Sequence, residues 1–251
     1  LQTAGQASGS YFPVGVTTNT FKVTDASGNT ATCSFTVTVN DNQGPSISCP
    51  NNIVVSNDAG VCGATVTYTT PVGTDNCPGA STVQTSGLAS GSVFPIGVTT
   101  NTYKVTDAIG NTATCSFTVT VNDTQKPSLT CASNISQSTD NNQCTASIAV
   151  TNAAFSDNCA IVADSISYAT SGATTLSGTG QVGTKTFNKG VTTVVCVATD
   201  ASGNTNACSF TVTVSDQQAP GVTCPANVSV ATSSGVCTSN VTFTATATDN
   251  C

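Results

Sequence analysis

Chemistry in this chain rests on two residue types. Thirteen cysteines and twelve acidic residues, every one an aspartate, stand among 251 residues, and histidine, methionine, tryptophan, glutamate and arginine are absent. Acid–base and nucleophilic catalysis need a base, a nucleophile or a metal arranged around a pocket, and the usual set is missing. The remaining Asp, Ser, Thr and Lys fall in repeated positions, whereas a catalytic centre would occur once. No enzyme is expected. With no C-x-x-C pair and no histidine, zinc and haem sites lack their ligands. The cysteines therefore read as disulfide formers in an oxidising, extracellular or cell-surface setting.

The aspartates recur. They occupy hairpin turns (Asp25, Asp107, Asp200), linkers (Asp41, Asp123, Asp216), first turns (Asp58, Asp140) and Asp-Asn-Cys loops (Asp75, Asp157, Asp249). In a sandwich of this order the linker, the Asp-Asn loop and the final hairpin lie at one end. Asp41, Asp75 and Asp107 could converge there, as could Asp123, Asp157 and Asp200. Backbone carbonyls would complete an oxygen shell of roughly 6–8 ligands for calcium. Taken singly, each position is also an ordinary turn former. No cofactor is required, and calcium is the one candidate.

The recurrence belongs to the whole chain. Asp25-Ala-Ser-Gly-Asn-Thr-Ala-Thr-Cys33-Ser-Phe35 returns from Asp107 and again from Asp200, at spacings of 82 and then 93 residues. A period of that size means a tandem array of small domains. Cys115-Ser-Phe-Thr-Val-Thr-Val121 alternates apolar and polar positions, the signature of a half-buried strand. Ala64–Tyr68, Asn101–Thr106 and Ile53–Val55 read likewise, separated by turns such as Asn57-Asp-Ala-Gly60 and Asp107-Ala-Ile-Gly-Asn111. No stretch has helical spacing. The expected fold class is all-β: tandem immunoglobulin-like sandwiches set end to end, each small enough to need covalent staples.

Prolines 45, 127 and 220 close short linkers and mark the boundaries. Residues 1–40 form the C-terminal part of a repeat, 41–122 and 123–215 complete repeats, and 216–251 an N-terminal part. The second complete repeat carries an 11-residue insertion between Cys159 and Phe187. A longer loop or an extra edge hairpin is expected there, with Asp164 and Tyr168 the one non-repeated place for a private ligand. A net charge of −7 with five lysines argues against nucleic acid. No apolar run approaches a membrane span.

Cys49-Pro50, Asp75-Asn-Cys77, Phe94-Pro-Ile-Gly97, Asp107-Ala-Ile-Gly-Asn111 and Cys115-Ser-Phe117 together resemble the hyalin repeat, or HYR domain, over essentially the whole chain. The resemblance implies an immunoglobulin-like fold in cell-surface and matrix proteins, with adhesion the usual role. The added cysteine of Gly60-Val-Cys62 is similar to repeats of bacterial surface proteins. Val39-Asn-Asp-Asn42 resembles the calcium-binding linker of cadherins.

Four cysteines per domain allow three pairings. First and last strands lie side by side in sandwiches of this type, and family members that keep only two cysteines keep this pair. Cys49–Cys115 and Cys131–Cys208 are thus expected, leaving Cys62–Cys77 and Cys144–Cys159 by exclusion. Cys196 is the odd one. Laid tail to head, residues 216–251 and 1–40 rebuild one repeat, so copies are expected to complete each other along a filament, first as successive segments of one long polypeptide and otherwise as subunits that exchange strands. Cys224 of one copy would then pair with Cys33 of the next, and Cys237 with Cys251. The leading reading is a structural or adhesive extracellular fibre whose partners are copies of itself. The runner-up is a calcium-dependent adhesion or carbohydrate-binding module, with surface or matrix glycans as ligands.

Overall fold

The computed structural model describes residues 1–160 and 165–251. They form two compact units, one made of Leu1–Asp58 with Cys62–Asp123, the other of Ala59–Val61 with Thr124–Cys251. All regular structure among the described residues is β.

In the first unit, β1 (Gln2–Ala4), β2 (Gly15–Thr24) and β3 (Thr30–Val39) make an antiparallel three-stranded sheet. The complete repeat follows: β4 (Ile53–Ser56), β5 (Gly63–Thr65), β6 (Ser81–Ser86), β7 (Val93–Pro95), β8 (Gly97–Thr106) and β9 (Thr112–Asn122). One layer has the order β4-β9-β8-β6, and the other is the β5–β7 pair with a bridge between Ser46 and Thr74. β4 runs parallel to β9, while β8 and β9 form a ten-pair antiparallel hairpin from Gly97↔Val121 to Thr106↔Thr112. Alternation along β9 sends Phe117, Val119 and Val121 inward, where they meet Ala64, Val66, Phe94 and Tyr103. Tyr68 packs edge-on to Phe117 at 4.9 Å and bonds the Tyr103 hydroxyl at 3.0 Å. Asn101 is fully buried in this apolar layer, and its Nδ2 has no hydrogen-bond partner there. Its Oδ1 accepts the Leu88 amide at 2.7 Å, pinning the turn after β6. Gly87 is required there, because a Cβ would run into that same oxygen and φ is +88°.

The second unit repeats the plan with β10 (Ser128–Thr130), β11 (Ile135–Ser138), β12 (Thr145–Ala149), β13 (Ala154–Ser156), β14 (Ile166–Gly172), β15 (Ser177–Thr179), β16 (Thr184–Asn188), β17 (Gly190–Thr199) and β18 (Thr205–Ser215). Its main sheet has the order β11-β18-β17-β14-β15. The inserted residues supply β15, an additional edge strand. β12 pairs with β16 and β10 with β13 across a core that includes Ile148, Phe187, Val194 and Val212. The chain ends with the short pair β19 (Gly221–Thr223) and β20 (Thr246–Thr248). No helix among the described residues is long and apolar enough to cross a membrane.

Candidate functional site

Two kinds of chemistry gather at the ends of the sandwich. At the hairpin end of the first unit, donor atoms of Asp41, Asp75 and Cys77 all lie within 4.8 Å of one another. The loops are wound locally: the Cys77 amide donates to Asp75 at 2.9 Å, and the Cys159 amide to Asp157 at 2.9 Å. In each loop one aspartate oxygen, Asp75 Oδ2 or Asp157 Oδ1, is buried without a partner. Cys159 is disulfide-bonded, so it offers no thiolate. What Asp41 and Asp75 offer is carboxylate oxygen, which fits a hard cation such as calcium rather than zinc. A hydrogen bond to the Asp41 carboxylate, burial and the surrounding negative charge push the Cys77 thiol upward.

Asp107 stands outside this cluster, and Asp107 and Asp200 serve their own turns. Asp107 Oδ1 accepts the amides of Ile109, Gly110 and Asn111 at 3.0, 2.8 and 2.8 Å. Asp200 Oδ1 accepts those of Ser202 and Asn204 at 2.9 and 2.8 Å. Burial works to raise both carboxyls, but the neighbouring Asn side chain and the turn amides outweigh it and hold each below the usual range. They cap their own hairpins. Asp41 and Asp75 come together; Asp107 is not in that set, although its Oδ2 is likewise buried without a partner.

The cysteines depart further from expectation. The structure joins Cys49 to Cys115 and Cys131 to Cys208, with Cα separations of 5.6 and 5.8 Å. It joins Cys144 to Cys251, 107 residues away. Cys33, Cys77, Cys196, Cys224 and Cys237 are free thiols, while Cys62 and Cys159 are each disulfide-bonded. The expected pairs Cys62–Cys77, Cys144–Cys159 and Cys237–Cys251 are thus all corrected.

Geometry explains the correction. The Asn57 amide bonds the carbonyl of Asn122, so the first turn sits at the C-terminal end of β9. Cys77 precedes Ser81, which pairs with Thr106 beside the hairpin at the opposite end. A strand of 11 residues spans roughly 35 Å at about 3.3 Å per residue. A disulfide needs Cα atoms within about 7 Å. The two cysteines of one repeat stand at opposite ends and cannot meet.

Sequence reasoning also missed the residues that hold the first turns. Gln125 Oε1 accepts the Gly60 amide at 2.7 Å, and Gln218 Oε1 accepts the Asn142 amide at 3.1 Å. Asn158 Nδ2 donates to the Val61 carbonyl at 3.0 Å, and Asn250 Nδ2 to that of Gln143 at 2.7 Å. The signal was present in the sequence: a glutamine stands two residues after each linker aspartate, at 43, 125 and 218. In the insertion, Tyr168 is buried in the core and presents no ligand surface. Asp164 lies outside the described residues.

A family model described as "HYR domain" matches residues 1–39, 40–121 and 122–214. The chain is 38% identical over 251 residues to "Hyalin" of Strongylocentrotus purpuratus, a match covering 94% of this chain and 19% of that protein. It is 34% identical over 140 residues to "Hyalin" of Lytechinus variegatus, covering 54% and 26%. The chain thus spans about a fifth to a quarter of these relatives. They are animal proteins, and the bacterial setting expected from Cys62 finds no support in them. Among solved structures, mouse cadherin-23 EC22-24 matches with a TM-score of 0.37 at 13% identity, over 81% of this chain and 75% of that chain.

Proposed function

Because this chain belongs to the HYR domain family, we propose that it is a segment of an extracellular structural or adhesive fibre, built from repeats bounded at 1–40, 41–122, 123–215 and 216–251. One observation carries the reading. Thr30–Val39 and Thr112–Val121 are the same ten residues, yet Phe35 is 53% exposed where Phe117 is 2% exposed. Among the described residues no second layer covers the first. Phe21, stacked on Phe35 at 6.3 Å, and Val23 are exposed beside it. Residues 216–251 expose Val222, Val228, Val230 and Phe243 in turn. By repeat equivalence they correspond to the strands that cover β9 and β18.

Burying one such side chain is worth about 1.5–3 kcal/mol, so two uncovered halves favour meeting. Copies then join head to tail, with Cys224 of one beside Cys33 of the next, as Cys131 stands beside Cys208. Negative-stain imaging of the secreted chain is the test. Filaments are expected, and discrete monomers with disordered ends refute the reading. No catalytic role is proposed.

The paired carboxylates favour a second reading, a calcium-dependent adhesion module recognising surface or matrix glycans. Asp41 with Asp75 would hold the cation and stiffen the linker that carries Asp41. Thermal melting with and without a chelator tests it. An unchanged midpoint dismisses calcium.

A further inference from the structure

One recurring asparagine carries an addition that its fold does not need. Asn52 and Asn134 stand just before β4 and β11 and do the same work. Asn52 Oδ1 accepts the Thr118 amide and Asn134 Oδ1 the Thr211 amide, each at 2.9 Å. The bond fastens the start of an edge strand to the long strand beside it, where Ile53 faces Val119 and Ile135 faces Val212. That fastening takes only the asparagine. Two residues further on the repeats diverge, with Val54 in one and Ser136 in the other. The serine makes Asn134-Ile-Ser136 an Asn-x-Ser/Thr motif, the acceptor of N-linked glycans. Asn52-Ile-Val54 is the same geometry without it.

The motif also occurs at Asn122, Asn227 and Asn240, and in a chain this rich in serine and threonine it carries little weight alone. The surroundings of Asn134 give it weight. Asn134 and Ser136 are both exposed, and β11 is the edge of the five-stranded sheet, so a bulky group here displaces no strand. The side-chain amide divides its two ends. Oδ1 serves the Thr211 amide, while Nδ2 makes no hydrogen bond among the described residues. An N-linked sugar sits on the nitrogen and leaves the oxygen an acceptor, so the modified side chain still holds Thr211. A groove of about 360 Å³, lined by Thr130, Ser133, Thr151 and Asn152, opens beside Asn134 and offers polar groups to the first sugar. Cys208 follows Cys131 by 77 residues, so a growing chain presents Asn134 before that disulfide can close.

We propose that Asn134 is an N-glycosylation site whose donor is an oligosaccharide carried on a lipid pyrophosphate. Asn134 Nδ2 attacks the anomeric carbon, so one C–N bond forms and the C–O bond to pyrophosphate breaks. The nitrogen gives up one proton, and the lipid pyrophosphate leaves with the electron pair. The inference requires passage through a secretory pathway and nothing of the fibre, so it stands whether or not copies assemble.

The test is the 251-residue chain secreted from cultured mammalian cells. Release of N-glycans by peptide N-glycosidase in heavy-oxygen water converts each glycosylated asparagine to labelled aspartate, which peptide mass spectrometry reads. Most copies are expected to carry the label at Asn134. Ser136→Ala is expected to cut that label at least tenfold, and Ser136→Thr to keep it. Neither variant touches Asn134 Oδ1, so the bond to Thr211 and the fold remain. Val54→Ser is expected to gain a glycan at Asn52, the matched position. An unlabelled Asn134 in the secreted chain overturns the site, and so does a label that survives Ser136→Ala. A labelled Asn134 in chains that form no filaments leaves the site standing and counts against the fibre alone.

Discussion

Cys196 lies directly opposite Cys208 across the antiparallel β17–β18 pair, and Cys208 carries the disulfide to Cys131. The equivalent position in the preceding repeat is Tyr103, opposite Cys115. A thiol thus stands beside a disulfide, yet it is 2% exposed, and burial pushes it above its ordinary range. Exchange requires a thiolate with access to sulfur, and burial withholds both. Cys196 is therefore expected to resist iodoacetamide at pH 8 in the native protein and to react fully in denaturant. Differential alkylation read by mass spectrometry checks this. Equal labelling in both states would mean that β17–β18 opens.

The Cys49–Cys115 bond ties the segment before β4 to β9 across 66 residues of chain. Constraining a loop of that size is worth about 2–5 kcal/mol in a small domain. Cys49→Ala with Cys115→Ala is expected to lower the stability of the first unit by that amount in urea. A loss under about 1 kcal/mol would show that packing alone holds the sandwich.

Tyr103 makes the same unit sensitive to alkali. Burial first, then the hydrogen bond to Tyr68, pushes its phenol up to about 12 from 10.0. The folded state keeps this proton while the unfolded state releases it above about pH 10. The contribution is complete below pH 10 and is lost as pH rises through 12. Tyr103→Phe, which leaves the Tyr68 hydroxyl on the Leu88 carbonyl, is expected to remove this alkaline decline. Denaturation midpoints measured between pH 8 and 12 decide the matter.

Deep packing gives the largest expected effect. Phe94 and Phe187 are fully buried at equivalent core positions, one in each unit. Phe94→Ala removes a ring from a site lined by Ala64, Val66 and Phe117, and should cost about 3–5 kcal/mol. Phe21→Ala, at an exposed position in the isolated chain, should cost under about 1 kcal/mol there. In assembled filaments the cost at Phe21 should rise. Denaturation of both forms measures the difference.

The strands could be read from the sequence because alternation is local: Phe117, Val119 and Val121 announce the buried face of β9 without any knowledge of their partners. Hairpins were equally plain, since Asp107 and Gly110 build their turn from neighbours four residues apart. The cysteine network was hidden for a reason of geometry. Cys62, Cys144 and Cys237 are equivalent, as are Cys77, Cys159 and Cys251, so pairing within a repeat and pairing between repeats leave the same sequence pattern. Only the 11-residue length of β9, which holds the two loops of one repeat apart, decides against the first. The aspartates divided in the same way. Asp107 spends its Oδ1 on its own hairpin, a local bond, whereas the approach of Asp41 to Asp75 depends on the bridge between Ser46 and Thr74.

The hairpin caps carry the acid dependence. Although burial acts to raise it, the Asp107 carboxyl is held below its ordinary 3.8 by the Asn111 side chain and the amides of Asn111, Ile109 and Gly110. Asp200 is held in the same manner. With the folded value depressed, the unfolded state binds the proton first as pH falls. The stabilisation is present above about pH 4 and drains away as pH drops through the folded value. Asp107→Asn keeps an Oδ1 to receive the three amides but removes the charge. It is expected to be less stable than the parent at pH 7, with the gap narrowing towards pH 2 as the parent carboxyl takes up its proton. Thermal melts of the two proteins at both pH values test the claim. A gap that persists undiminished at pH 2 would assign the loss to packing of the turn rather than to the ionised cap.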